Sequence, residues 1–73
     1  MYILSTHAKE RKRNRKIPVA QIDQTIRKPD KIIKSYRGRL LHRKQFGSKI
    51  LEVVIRNEKE KLIVVTLYYL KNL

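Results

Sequence analysis

A histidine and two arginines near the start of the sequence have the spacing that puts side chains on one side of a helix. His7, Arg11 and Arg15 follow one another at intervals of four residues, and residues so spaced are neighbours on a helical surface. An imidazole can exchange a proton near neutral pH, and a guanidinium can hold a phosphate through two parallel N–H groups. The stripe is therefore a candidate for proton transfer at a bound phosphate. The alternative is that His7 caps the helix start and that both arginines are merely solvated.

A second basic group lies in the middle of the chain, where His42, Arg43 and Lys44 are consecutive. In a strand, alternation sends His42 and Lys44 to one face of the sheet and Arg43 to the other. Either face would then present a cation, so the sequence does not decide which of them lines a site. The alternative is a solvated strand whose charges prevent unwanted pairing with other strands.

Thr66 and Tyr68 are two residues apart near the C-terminal end, so they share one face of a predicted strand. A tyrosine at such a position can stack on a base or donate a proton through its hydroxyl. The alternative is a half-buried strand tyrosine whose hydroxyl lies at the rim of the core.

The charge of the chain favours a polyanionic partner. Nineteen lysines and arginines stand against six acidic residues, which gives a net charge of +13 in 73 residues. A domain of this size cannot bury so many cations, so they repel one another at the surface, and a polyanion relieves that repulsion. Nucleic acid is the first candidate partner, an acidic protein the second and an anionic membrane surface the third.

The composition argues against several other kinds of site. The chain has no cysteine, which excludes disulfides and thiolate metal sites. The two histidines and six carboxylates show no spacing typical of a metal site, and the two glycines are isolated, so a nucleotide-binding loop is absent. We therefore expect neither a metal ion nor a cofactor.

The residues that do chemistry must be positioned by two helices and four strands. Ser5 or Thr6 can cap a short first helix that has only Ala8 as an apolar contact. Pro18 suits the first position of a second helix, which must end before Pro29. An apolar stripe made of Val19, Ile22 and Ile26 would face the core. The predicted elements are helices over 5–16 and 18–28 and strands over 31–36, 40–46, 50–56 and 62–70.

The short connections predict one domain over residues 1–73 of the α+β class, with two N-terminal helices packed on one face of a four-stranded antiparallel sheet. No segment approaches the roughly 18 apolar residues of a transmembrane helix. The apolar start of the chain is too short for a signal peptide and is followed by cations. We therefore expect a cytoplasmic protein that does not use a membrane as its partner.

Several short motifs recur in an order that is similar to a known family. They are Ser5-Thr6-His7-Ala8, Arg11, Arg15-Lys16-Ile17, Ile22, Ile26, Pro29, Tyr36, Gly38-Arg39, Leu51, Val53-Val54, Val65-Thr66 and Tyr68. From about Ser5 to Tyr69 the chain resembles a small family of bacterial and archaeal domains of unknown function. That family in turn resembles the barnase–EndoU–colicin–RelE superfamily of metal-independent ribonucleases, many of them toxins. The resemblance implies a RelE-like fold and a ribonuclease activity.

Charge and resemblance together lead to the expected function, an RNA-binding, metal-independent endoribonuclease of the toxin type that cleaves by attack of a 2′-hydroxyl. The expected catalytic residues are His7, Arg11 and Tyr68, and the expected RNA-binding residues are Arg11, Arg15, Arg43, Lys44 and Thr66. We expect Arg56, at the far end of its strand, to lie outside this site. The expected partners are RNA, free or on the ribosome, and an acidic antitoxin protein. The alternatives are a non-catalytic nucleic-acid-binding module or a basic partner of an acidic protein.

Overall fold

The computed structural model describes residues 2–71 and has the expected α+β class, with both helices preceding the main antiparallel strands. Its elements are β1 (Tyr2–Leu4), α1 (Thr6–Asn14), α2 (Val19–Arg27), β2 (Lys31–Lys34), β3 (Arg39–Phe46), β4 (Lys49–Glu58) and β5 (Lys61–Lys71). Among these residues no helix is both long enough and apolar enough to cross a membrane.

The sheet has five strands in the order β1-β5-β4-β3-β2, so the prediction of four antiparallel strands was wrong. The additional strand β1 runs parallel to β5, with Tyr2 opposite Leu62 and Leu4 opposite Val64. The other three strand pairs are antiparallel, as expected. A three-residue strand is too short to show an alternating pattern, and its partner stands at the opposite end of the chain. The sequence therefore gave no local signal for it.

Helix α1 is anchored at its start and by one small residue. The hydroxyl of Ser5 accepts a hydrogen bond from the Ala8 N–H at 3.0 Å and donates one to the carbonyl of Val65 at 2.7 Å. The N–H of Ser5 also donates to the carbonyl of Val64 at 3.0 Å. Ala8 is completely buried. The predicted cap and the predicted apolar contact are both confirmed, and the bonds to β5 fix where the helix begins relative to the sheet.

Helix α2 supplies a shorter apolar stripe than expected. It begins one residue after Pro18, whose carbonyl accepts a hydrogen bond from the Ile22 N–H at 3.2 Å. Ile22 is buried and Ile26 packs against the core, as predicted, but Val19 is 54 % exposed. Thr25 also lies on the buried side of the helix. Its burial is possible because its hydroxyl donates a hydrogen bond to the carbonyl four residues earlier at 2.7 Å and so has a partner within the helix.

One face of the sheet carries the helices and the hydrophobic core. The core residues are Ala8, Ile17 and Ile22 from the helical half and Leu51, Val53, Ile55, Val64 and Leu67 from β4 and β5. The opposite face, which we call the open face, carries no helix within residues 2–71. It presents Arg39, Leu41 and Arg43 from β3, Glu52, Val54 and Arg56 from β4, and Thr66 and Tyr68 from β5.

An irregularity in β5 determines which side chains reach the open face. Ile55 pairs with Val64 but its neighbour Val54 pairs with Thr66, so Val65 is an extra residue in the strand. Such a bulge shifts the alternation of the strand by one position. As a result Val64 points into the core, whereas Thr66, two residues later, lies on the open face.

Candidate functional site

The basic stripe predicted on the first helix is present on the outer side of α1. His7 is exposed, and Arg11 donates from Nε to the Nε2 atom of His7 at 3.5 Å, at the long end of hydrogen-bonding distances. His7, Glu10, Arg11, Asn14 and Arg15 line one surface groove. The contact uses the Nε2 lone pair, so the neutral imidazole is the form that makes it. The stripe thus offers one proton acceptor beside two guanidinium groups.

The C-terminal end of this stripe adjoins β5. A second groove is lined by Asn14, Arg15, Lys49, Tyr68, Tyr69 and Leu70, and it shares Asn14 and Arg15 with the first. Because α1 begins at the carbonyls of Val64 and Val65 and its C-terminal end shares a groove with Tyr68, it runs beside β5. The helix stripe and the tyrosine of the last strand therefore border one continuous surface.

Tyr68 belongs to a row of three polar side chains that crosses the open face. Arg43 on β3 is the register partner of Glu52 on β4, and Glu52 is the partner of Tyr68 on β5. Arg43 donates from Nε to Oε1 of Glu52 at 2.7 Å, and Glu52 is only 3 % exposed. Burial raises the pKa of Tyr68 to about 12, and the neighbouring Glu52 carboxylate adds to the rise. At neutral pH the Tyr68 hydroxyl is therefore a proton donor and not a phenolate.

The next row along the open face is nearly apolar. Thr66 is the register partner of Val54, which is in turn the partner of Leu41. Val54 is buried, and Thr66 is half-buried beside it. Thr66 thus contributes a hydroxyl next to Tyr68 at the edge of an apolar strip.

The structure separates the two cations of β3 that the sequence left undecided. Arg43 faces the open face, whereas Lys44 lies on the helix face, where Nζ donates to the Lys28 carbonyl at 2.9 Å and lies 3.5 Å from Oδ1 of Asp30. His42 lies on the helix face as well, nearly buried, with Nδ1 3.3 Å from the Thr25 carbonyl. Of the predicted residues, the structure brings Arg43, Thr66 and Tyr68 onto one face and keeps Lys44 away from them.

Three charged residues of the open face were missed or misplaced by the sequence reasoning. Glu52 was given no role, yet it lies at the centre of the polar row with Arg43. Arg39 was given no role, and Arg56, expected outside the site, lies directly opposite Arg39 on the open face. The two-residue Gly47-Ser48 turn was the available signal, because counting outward from it pairs position 43 with 52 and position 39 with 56.

Within residues 2–71 no three His, Cys, Asp or Glu side chains lie close enough together to hold a metal ion.

Comparison with known protein families gives a match. The sequence profile of DUF4258, a domain of unknown function, matches residues 4–69. No curated protein is similar enough to match, and neither is any solved structure.

Proposed function

Since the chain belongs to the DUF4258 family of domains of unknown function, its role must be argued from its own surface, and we propose that it binds RNA and cleaves it without a metal ion. The observation that carries the proposal is the continuity of two features. The His7–Arg11–Arg15 stripe of α1 leads into the groove that contains Tyr68. Tyr68 in turn begins the row through Glu52 to Arg43 on the open face.

The binding half of the proposal follows from charge and position. A net charge of +13 favours a polyanion, and Arg11, Arg15 and Arg43 supply guanidinium groups along the proposed path. RNA is favoured among polyanions because Tyr68 offers an aromatic ring on which an unstacked base can lie. Thr66, beside it, offers a hydroxyl to the backbone or a base edge. The proposal places the protein in the cytoplasm, with RNA free or on the ribosome as its partner.

The catalytic half needs a proton acceptor, a proton donor and cations at the phosphate. His7 accepts the proton of a 2′-hydroxyl at Nε2 once Arg11 turns from the imidazole to the phosphate. The 2′-oxygen then bonds to phosphorus, and the bond from phosphorus to the 5′-oxygen breaks. Tyr68 gives its hydroxyl proton to the departing oxygen. His7 then releases its proton to water and Tyr68 regains one from water, so that no net proton is gained or lost. The products are a 2′,3′-cyclic phosphate and a 5′-hydroxyl.

The kinship with the barnase–EndoU–colicin–RelE superfamily and the RelE-like assignment of the fold belong to this proposal as well. They are supported by two helices that precede an antiparallel four-strand unit and by a charged face opposite those helices. An acidic antitoxin protein would be the partner that covers the same face in the resting cell.

One observation favours a non-catalytic RNA-binding module as the second candidate. The chain has two histidines, and His42 is nearly buried beside the Thr25 carbonyl. His7 therefore has no second histidine at the surface with which to share acid and base roles, and Tyr68 has to take one of them.

The test is incubation of the purified chain with single-stranded RNA in the presence of a chelator, with and without ribosomes. We expect fragments that end in a 2′,3′-cyclic phosphate. With about five phosphate contacts, the logarithm of the affinity should fall by roughly 3.5 per tenfold increase in salt. RNA that is bound with this salt dependence but never cut would leave only the binding module, and the absence of binding would refute both candidates.

A further inference from the structure

Two arginines lie opposite each other on the open face, and neither their positive charges nor their buried N–H groups are fully compensated by neighbouring residues. Arg39 on β3 and Arg56 on β4 are direct register partners, and like charges in that position repel each other. The Nε atoms of both are buried and have no hydrogen-bond partner among the described residues. Glu58 pairs with Nη2 of Arg56 at 2.9 Å, and no ion pair to Arg39 occurs within residues 2–71.

An anion would resolve both problems. A buried N–H without a partner loses its hydration and gains nothing in return, and two guanidinium groups without two carboxylates leave excess positive charge. A phosphate oxygen can accept from both groups at once, because each guanidinium presents parallel N–H donors in a planar fork. The side chain of Arg56 is 42 % exposed, so an anion from solvent can reach its terminal nitrogens and draw Nε toward itself.

We propose that Arg39 and Arg56 form a second phosphate site, which holds a phosphodiester of the RNA strand away from the bond that is cut. This proposal rests on the proposed RNA-binding function for the identity of the ligand. On β3, Arg39 precedes Arg43 by four residues, which corresponds to about 13 Å along a strand. Both lie on the open face, so a single strand laid along it meets the Arg39–Arg56 pair at one end and the Arg43–Glu52–Tyr68 row at the other.

The distance between the Arg39–Arg56 pair and the Arg43–Glu52–Tyr68 row defines the class of substrate. A dinucleotide has one phosphodiester and cannot occupy both positions, whereas a strand of about ten nucleotides is within the range of single-strand sites and can. The Arg39–Arg56 site therefore selects extended single-stranded RNA over very short fragments.

The experiment uses the side-chain N–H signals of arginine in nuclear magnetic resonance spectra of the whole chain, because buried Nε–H groups exchange slowly. The probes are inorganic phosphate, a dinucleotide and an RNA of about ten nucleotides. A variant with Arg39→Lys and Arg56→Lys keeps the charge but removes the forks. Its matched control carries Arg13→Lys and Arg27→Lys, at exposed helical positions outside both proposed sites.

We expect inorganic phosphate and the longer RNA to shift the Nε–H signals of Arg39 and Arg56, and the dinucleotide, which contacts only one of the two positions at a time, to bind more weakly than the longer RNA. Replacing both arginines by glutamine should lower the salt slope for the longer RNA by about 1.4, the share of two single-strand contacts. The lysine pair should weaken binding of that RNA more than its control does. RNA binding that leaves both signals unmoved, or equal effects of the two lysine pairs, would overturn the site while the proposed function stands. Shifts with phosphate in a chain that binds no RNA would support an anion site and refute the RNA function.

Discussion

Arg43 and Glu52 form an ion pair of 2.7 Å at the centre of the open face, and the Glu52 side chain retains only 4 % of its exposure while that of Arg43 retains 33 %. The carboxylate is covered by its neighbours on a face that no helix covers within the described residues. The Glu52 carboxylate is therefore stabilised by Arg43 and by the Tyr68 side chain next to it in register, and hardly by water.

Removal of Arg43 should destabilise the fold more than the loss of an ordinary surface charge. We expect Arg43→Ala to lower the free energy of unfolding by about 3 kcal/mol, the lower end for breaking a buried pair, because Arg43 itself is partly exposed. Combining it with Glu52→Gln should restore most of that loss, since no buried charge is then left unpaired. Urea denaturation measures both variants, and equal instability of the single and the double variant would contradict this account.

The register of β3 and β4 was within reach of the sequence. Gly47-Ser48 is a residue pair typical of a two-residue turn between β3 and β4, and such a turn fixes the pairing of every residue on the two strands. Counting outward from it gives both the Arg43–Glu52 pair and the Arg39–Arg56 pair that the structure has. What the sequence could not supply was the face on which the helices pack, because both parities of β3 contain a cation.

The position of Tyr68 opposite Glu52 could not be predicted from the sequence, for a different reason. Counting outward from the Lys59-Glu60 turn pairs Glu52 with Leu67, and only the bulge at Val65 brings Tyr68 opposite Glu52. Bulges depend on how a whole strand fits its neighbours and leave no fixed local signature. The hydrogen bonds from Ser5 to the carbonyls around the bulge involve residues from opposite ends of the chain, which pattern reading along the sequence does not connect.

Tyr68 should make the stability of the fold fall at high pH. Its pKa is raised to about 12 in the folded state from an ordinary value of 10.0. Between these values the folded chain keeps a proton that the unfolded chain has released, so stability is complete below pH 10 and decreases as pH rises toward 12. Tyr2, whose pKa is also raised to about 12 by burial and by its hydrogen bond to Asp23, contributes in the same window.

Denaturation at a series of pH values, compared between the parent and Tyr68→Phe, isolates this effect because the two proteins differ in no other titratable group. The fall in stability between pH 10 and pH 12 should be smaller in Tyr68→Phe. Curves that run parallel over this window would show that Tyr68 is not held in its protonated form.

Arg39 should reduce stability while it supports binding. Because it faces Arg56 directly, replacing it with a neutral side chain removes a repulsion between like charges. We expect Arg39→Gln to raise the free energy of unfolding by about 0.2 to 1 kcal/mol, the usual range for such cross-strand pairs, and to weaken RNA binding. Thermal unfolding and an RNA titration give the two quantities. A less stable variant would contradict the repulsion, and unimpaired RNA binding would contradict the role of Arg39 in binding.

Variants on the two faces of β3 distinguish net charge from site geometry as the basis of RNA binding. The two explanations predict opposite answers to which variant reduces the salt slope more. The double variant Arg43→Gln with Glu52→Gln leaves the net charge unchanged, whereas Lys44→Gln lowers it by one. Lys44 is engaged with Lys28 and Asp30 on the helix face. We therefore expect the neutral double variant to reduce the salt slope of RNA binding by about 0.7, the value for one single-strand contact, and Lys44→Gln to reduce it less. The reverse order would mean that overall charge, and not the open face, governs binding.

Single substitutions in the His7–Arg11–Arg15 stripe separate RNA binding from RNA cleavage. Arg11→Ala removes a phosphate fork and should weaken RNA binding and cleavage together. His7→Ala should leave binding nearly unchanged, because a neutral imidazole adds little to the affinity, and should slow cleavage by on the order of 100-fold if His7 transfers the proton. Folding should survive both changes, since alanine favours the helix and the His7–Arg11 contact is long and exposed.

Arg13→Ala is the matched control for Arg11→Ala, because Arg13 is an exposed arginine of the same helix about 200° around its axis from Arg11. Arg56 cannot serve that purpose, since it lies on the open face. Equal losses of affinity in Arg11→Ala and Arg13→Ala would attribute binding to bulk charge. If His7→Ala cleaved RNA at the parent's rate, the proton acceptor would have to be sought elsewhere on the surface. His42 would be a poor replacement, because its ring is nearly buried on the other face of the sheet.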